Sequence, residues 1–600
     1  MARRVSRSGS RVAWAVLAHA VLVAAAPGMA AAAPGMAAAD PVAPPPSPSP
    51  AARMTVVELQ PNRSETRVPV ERADQVAGTA TLTNLNPRVN AWFLLTLDWG
   101  ARRPQEVYHI ENARPARALA LNTAPPGVVQ IDFGDQSPPC TLPLVGAQGR
   151  PGALGVARAS GLPYAPICDG RLYVRNQTVG RASSLETVTD FLRDHVWGGE
   201  QIVTLVKKEL YRDAFLEQGE PRVTTRTGAA PASAPAAAIV EPARADLAVV
   251  PPDLGLDVDS ADRALLLGQW YGLRGLPDVY LSVVIPEVIA RDLLDGRERS
   301  VSRLDPIESK ALVYLVAFDL GTFDLGFALG TEHPRIGWSL RPPSASIDRR
   351  LPGPDGIDRA APLAITGMVR PEYAARTVAA FTGGFKREHG AFRYGALALQ
   401  NHGSHYGFVE QGVVFSKLQP GLATLFTTVS GDVQMGTWTE ADNGRMASIR
   451  DARQNGVPLV EYDANTGTSV PGPLVNRWGE GNWSGSATED LRTLRAGACL
   501  LETGTRRFLV YGYFSAATPS AMARVFQAYR CRYAMHLDMN ALEHTYLAVY
   551  VSQAGKLTVE HLITGMNVLD RYAGKRFAPR FLGFPDDRDF FFLTRKEGAP

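Results

Sequence analysis

Four cysteines in 600 residues are few. None stands in a C-x-x-C pair, which excludes the common thiolate zinc sites and redox dithiols. H-E-x-x-H is absent as well, and with it the two-histidine helical zinc site of metalloproteases. Charge of one sign is not in excess: 62 lysines and arginines face 59 acidic residues. Without basic clusters, that balance offers no electrostatic case for nucleic acid or a lipid surface as partner. After the first forty residues no apolar stretch reaches the roughly 18–20 residues of a membrane-crossing helix.

What is present begins with a targeting pattern. MARRVSRSGSR is basic, VAWAVLAHAVLVAAA is an apolar run of signal-peptide length, and small residues follow in APGMAAAAPGMAAAD. Residues 1–39 therefore read as a signal peptide, and the expected location is secreted, periplasmic or at the cell envelope. Residues 40–53 are a Pro/Ser/Ala linker. An oxidising compartment suits disulfides, and the cysteines fall as Cys140 with Cys168 and Cys499 with Cys531. Two bridges, each local to its region, form the simplest pairing; two reduced buried pairs are the alternative.

The composition of 45% hydrophobic and 20% charged residues supports sizeable cores, and the length calls for more than one domain. Residues 54–222 alternate in strand fashion, as in AGTATLTNL and NAWFLLTLDW, and close with the helical pattern SSLETVTDFLRDHVWGGEQIVTLVKKELY. Residues 223–260 are Ala/Pro-rich and mark a boundary. Residues 261–600 carry many short strands with Gly turns and one marked helix. There Thr518 suits the cap, Pro519 the first turn, and Met522, Val525, Phe526 and Tyr529 one apolar stripe. The fold class expected is α+β. Asn176-Gln177-Thr178 matches a glycosylation sequon.

The helix leads into CRYAMHLDMNALEHTY, residues 531–546, where groups able to do chemistry concentrate. If Tyr533 to Met539 is a strand, alternation puts His536, Asp538 and Asn540 on one face and Leu537 and Met539 on the other. Glu543 and His544 follow in the next turn. An acid, an amide and two imidazoles at a strand end are the ingredients of acid–base catalysis. His536, Asp538, Glu543 and His544 also keep a divalent ion open as cofactor, although no spacing matches a zinc signature. Two tryptophans in NRWGEGNWSGSATED, Trp483 among them, suit stacking on sugar rings.

The order of motifs over roughly residues 311–551 resembles the phosphodiester glycosidase family. A strand ending in Asp319 precedes RTVAAFTGGF, similar to the family's Asn-Gly-Gly-Phe segment. VSGDVQMGTW, QNGVPLV, an Arg-Thr before a Gly-led strand, and then hairpin, helix and a strand ending in Leu537-Asp538 follow in the family's order. The resemblance implies a mixed-sheet glycosidase-like domain after a β-rich one, acting as an exported hydrolase of glycosyl-1-phosphodiester bonds. The other reading is an envelope module that keeps the fold and binds a glycan or protein without catalysis. On the enzyme reading, Asp538 is base, nucleophile or sugar anchor, with His536 or His544 handling protons. Arg492 or Arg495 grips phosphate, and Gly383, Gly384, Lys386 and Arg387 offer backbone N–H groups and cations. Asn540, Glu543 and Trp483 complete the binding set. The sequence departs from the family where Met539-Asn540-Ala541-Leu542 replaces the glycines after Asp538, and glycine loss implies loss of positive φ. Thr382 stands where the family has Asn.

Overall fold

A computed structural model describes residues 55–180, 222–223, 231–332, 357–386, 406–477 and 491–598, apart from residues 73, 261, 297, 358, 554–555 and 574–575. Residues 1–51 and 52–600 separate as two units, and only the second contains described residues. The signal peptide, the first linker and the helical pattern before residue 212 lie outside the described residues. So do Arg387 and Trp483.

The second unit is β-rich with few helices, and every strand pairing among the described residues is antiparallel. The mixed sheet expected for the later region is in that respect antiparallel. The largest sheet runs Trp270–Leu273, Leu276–Val284, Val313–Asp319, Arg506–Ala517, Thr493–Thr503, Tyr533–Met539, Pro458–Asp463 and Thr468–Pro471. Val313–Asp319 is buried at all seven positions, as its unbroken apolar run requires of a strand covered on both sides. A second sheet runs Phe323–Ala328, Phe590–Arg595, Thr377–Thr382, Leu547–Gln553 and Lys556–His561. The turn after Asp319 thus carries the chain from one sheet to the other.

The helix forms as its sequence dictates. It spans Pro519–Ala528, the Thr518 hydroxyl accepts from the Ala521 amide at 3.2 Å, and all ten residues are buried. The stripe predicted one covered face; the helix is covered all round. Close seating on the large sheet depends on Gly497 and Gly512, which stand opposite each other in the register. A Cβ at Gly497 would come within 2.8 Å of Met522 and 2.9 Å of Phe526. Any side chain there would push the helix off the sheet.

Both expected disulfides are formed, Cys140–Cys168 and Cys499–Cys531, with Cα separations of 5.4 and 5.9 Å. The second fastens the chain after the helix to a central strand. The sequon is engaged in structure: the Asn176 amide donates to the Ala157 and Leu162 carbonyls, and the Thr178 hydroxyl to those of Ile365 and Thr366.

The first sheet, Ser64–Glu71 through Tyr164–Ile167, has its own apolar core, but one strand serves two. In Trp92–Asp98, Phe93, Leu95 and Leu97 enter that core while Trp92 and Leu94 enter the main one, the two-residue period applied to opposite faces. The Ala/Pro stretch expected as a linker is packed from residue 231 onward. Trp270 donates to the Ala236 carbonyl at 3.0 Å, Leu247–Val249 pairs with Leu265–Leu266, and Leu254, Leu256 and Val258 are in the main core.

Buried charges knit the first sheet to the rest. Arg175 lies 2.5 Å from Glu111 and 3.9 Å from Glu410, and Arg370 lies 3.1 Å from Glu111 and 3.4 Å from Glu372. Burial, opposed by Arg175, pushes Glu410 up to about 8. Between its ordinary value and 8 the folded protein holds a proton that the unfolded chain has lost, so stability falls as pH rises through that window. The expected result is a decline approaching about 1.4 kcal/mol per pH unit from this one group. Urea unfolding at a series of pH values should show it, and Glu410→Gln should remove it. A profile identical in wild type and variant would refute the assignment.

Candidate active site

The Tyr533–Met539 strand lies between Thr493–Thr503 and Pro458–Asp463 near the middle of the large sheet. All seven of its residues are buried. Its register with the neighbouring strand shifts between Arg495, opposite Met539, and Gly497, opposite His536. That irregularity breaks strict alternation. His536 and Met539, expected on opposite faces, both meet one nitrogen of Arg495: Nη1 lies 3.3 Å from His536 Nε2 and 3.1 Å from Met539 Sδ.

Arg495 is fully buried. Its Nε donates to the Ala517 carbonyl at 2.8 Å and its Nη2 to the Leu491 carbonyl at 2.8 Å. No carboxylate among the described residues forms an ion pair with it. Burial pushes this guanidinium down to about 9, a fall that the charge of Glu308 partly offsets, so it is still a cation at neutral pH. His536 is also fully buried, and burial together with Arg495 holds it well below the usual histidine range. A neutral imidazole therefore stands beside a poorly solvated cation. Phe385 covers it, ring centres 4.9 Å apart.

Asp538 belongs to a second group. Its Oδ2 accepts from Arg588 Nη1 at 2.7 Å, and its Oδ1 from the Met539 amide at 2.8 Å. The other arm of Arg588, Nη2, lies 2.7 Å from His544 Nε2. Guanidinium only donates, so Nε2 accepts and the hydrogen sits on Nδ1, which donates to the Met539 carbonyl at 2.7 Å. One arginine thus holds the acid and fixes the tautomer of the imidazole. Glu543 Oε1 lies 3.5 Å from His544 Nε2. Arg580 braces the turn, donating to the Glu543 carbonyl and pairing through two nitrogens with Asp586, at 2.7 and 3.0 Å.

The glycine turn abuts the same strand through Asn455. That side chain accepts from the Phe385 amide at 3.1 Å and donates to the His536 and Leu537 carbonyls. Gly384 has φ +148°, and a Cβ there would come within 2.9 Å of Asn455 Oδ1. The open N–H nest expected at this turn is not offered at two of its positions. The Gly383 amide donates to the Asp589 carbonyl at 2.8 Å, and that of Phe385 is taken by Asn455. Lys386 is no solvated cation either: it is buried and lies 2.8 Å from Glu332.

The strand therefore carries two sets, His536 with Arg495 and the Gly383–Phe385 turn, and Asp538, Glu543 and His544 with Arg588. Arg492 is not with them; it is partly exposed and paired with Asp305. Asn540 accepts from the Thr493 hydroxyl at 3.1 Å and adopts φ +80°. The positive φ that glycine loss seemed to forbid is retained, since Asn is among the residues that tolerate it. Residues that pattern reading passed over are Arg588, Asp586, Asp589, Arg453 and Asn455. Buried Arg453 pairs with Asp589 at 2.6 Å. The available signal was Asp586-Asp587-Arg588-Asp589 set directly before the apolar Phe590-Phe591-Phe592. Among the described residues, no group of three or more His, Cys, Asp or Glu is arranged to hold a metal ion.

No family model matches this chain, and no curated protein matches it. Among solved structures it is similar to the zebrafish N-acetylglucosamine-1-phosphodiester alpha-N-acetylglucosaminidase catalytic domain auto-inhibited by its pro-peptide. Identity is 10%, coverage 54% of this chain and 85% of that one, and TM-score 0.27. A hypothetical protein from Synechocystis matches at 10% identity over 84% and 97% of the two chains, with TM-score 0.25. A Burkholderia pseudomallei protein described as exported matches at 12% identity over 48% and 74%, with TM-score 0.17. These likenesses are distant.

Proposed function

We propose that this chain is an exported hydrolase of glycosyl-1-phosphodiester bonds in envelope or extracellular glycans. The observation that carries the reading is Arg495: a buried cation, without a carboxylate among the described residues, on the strand next to Asp538. Glu308 offsets the burial of this charge only in part; a buried charge short of compensation costs several kcal/mol, and a phosphate oxygen is a partner that would remove that cost. The motif order of residues 311–551 supports the same chemistry.

In this reading Arg495 takes the phosphate, and neutral His536 beside it adds a second polar contact. Asp538 supports the positive charge that develops at the anomeric carbon, as base, nucleophile or anchor. His544 carries a proton on Nδ1 and has a lone pair on Nε2, so it can relay a proton once Arg588 shifts. Arg588 is a positioning residue, since it acts through Asp538 and His544. The two disulfides are suited to an oxidising, extracytoplasmic location. Among the described residues no helix is long and apolar enough to cross a membrane.

One observation favours a non-catalytic binding module instead. Asp538 is 4% exposed, with its carboxylate tied to Arg588, as in a purely structural ion pair. Incubating the purified protein with UDP-GlcNAc and other sugar-1-phosphodiesters separates the two readings. Release of free sugar is expected, and Asp538→Asn should reduce it on the order of a thousandfold. No turnover across the panel, with or without divalent metals, would leave the binding module.

A further inference from the structure

A cavity of about 660 Å³ lies away from Asp538, where the first sheet meets the segment around Ala360–Ile365. That volume is in the range of pockets for small organic ligands, and junctions between sheets and domains are where such pockets favour forming. Arg158, Arg175 and Arg359 line it, together with Tyr108 and His109, and none of the lining residues is acidic. Arg175 is committed to Glu111, which is not among the lining residues. The Arg158 guanidinium carbon lies over the Tyr108 ring, 3.7 Å from its centre, and Nη2 donates to the Val107 carbonyl. Neither Arg158 nor Arg359 forms an ion pair with a carboxylate among the described residues.

His109 supplies an independent observation. It is 2% exposed, and its Nδ1 accepts from the Ala364 amide at 3.0 Å. The ring hydrogen of the neutral form is therefore on Nε2. That Nε2 has no hydrogen-bond partner among the described residues; the ring meets Trp92 only in an edge-on packing contact, centres 4.8 Å apart. Burial and Arg175 hold His109 well below its usual range, so the group stays a neutral donor. Buried donors in native proteins are ordinarily satisfied. A lone donor, two guanidiniums that no carboxylate among the described residues neutralises, and a lining without an acid describe a receptor for an acceptor-rich anion.

We propose that this cavity binds a small organic anion, of the size of a sugar phosphate or a sugar acid. Its oxyanion meets Arg158, Arg359 and the His109 Nε2 hydrogen, and its body lies against the wall around Tyr108. The site is separate from the Asp538 group, so it would supply recognition of an anionic glycan or product rather than chemistry.

Calorimetric titration of the full chain tests this, with glucose 1-phosphate, galacturonate, inorganic phosphate and glucose as probes. Saturable binding of glucose 1-phosphate or galacturonate is expected, with none for glucose; which of the two binds tells phosphate from carboxylate. Arg359→Ala, at an exposed position, should weaken it about tenfold, and Asp538→Asn should leave it within about twofold. Loss of binding in Asp538→Asn would place the ligand at the catalytic group and overturn the proposal. So would binding untouched by both Arg158→Ala and Arg359→Ala, binding of inorganic phosphate alone, or no binding by either sugar anion. Because Asp538→Asn is read separately, failure of the hydrolase assay leaves this result intact.

Discussion

Arg588→Ala should lower the free energy of unfolding by about 3–5 kcal/mol, the usual consequence of stripping the partner from a buried charge. The variant leaves Asp538, 4% exposed, facing the space its 2.7 Å ion pair occupied. It also removes the donor that His544 Nε2 accepts from. Denaturant unfolding measures the loss directly. Replacing both members by apolar residues of similar volume, Asp538→Leu with Arg588→Met, should recover at least half of it, because the desolvation of two ions is then avoided. A loss below about 1 kcal/mol in the single variant would put the pair with surface ion pairs. It would then not be the strut that holds the acid.

Arg495→Met should behave in the opposite way. Two hydrogen bonds to main-chain carbonyls disappear, at about 1 kcal/mol each. Against this, a cation whose burial drives it down to about 9 is no longer desolvated, which is worth a comparable amount or more. The unfolding free energy should therefore change by less than about 2 kcal/mol. Turnover of UDP-GlcNAc should nevertheless fall on the order of 100- to 1000-fold, as when one fixed charge-stabilising donor is lost. Arg492→Met, at a partly exposed residue paired with Asp305, is the internal control and should change turnover little. Equal turnover in wild type and Arg495→Met would remove Arg495 from the phosphate site. A stability loss of the size expected for Arg588 would make it a structural residue.

The two arginines show what could be read in the chain and what could not. Arg495 lies in the motif order that points to a phosphodiester, and it faces the strand that carries His536 and Asp538. Arg588 lies fifty residues beyond Asp538, on the run that opens a strand of a different sheet. Local period and spacing say nothing about which strands of two sheets come together. A salt bridge between them is a tertiary fact. The helix after Thr518 was legible because caps and apolar stripes act within a few residues. His536 and Met539 were misassigned to opposite faces for a local reason of another kind. The register shift against Arg495–Gly497 inserts an irregularity that no period-two count anticipates. The glycine turn misled through its neighbours: Asp589 and Asn455, distant in sequence, consume the amides that composition left free.

The strand Trp92–Asp98 has a bearing on how this chain can be divided. Its alternate residues are party walls, Phe93, Leu95 and Leu97 closing one room and Trp92 and Leu94 the other. A cut at the Ala/Pro-rich stretch looks natural by composition, yet a fragment starting at residue 261 would lack that wall. It would also lose Leu254, Leu256 and Val258 from the main core, and leave buried Glu410 without Arg175. Shuffling of the later region by itself would thus expose apolar surface that the whole chain keeps covered. Whatever chemistry the Asp538 group performs, it travels with the first sheet attached.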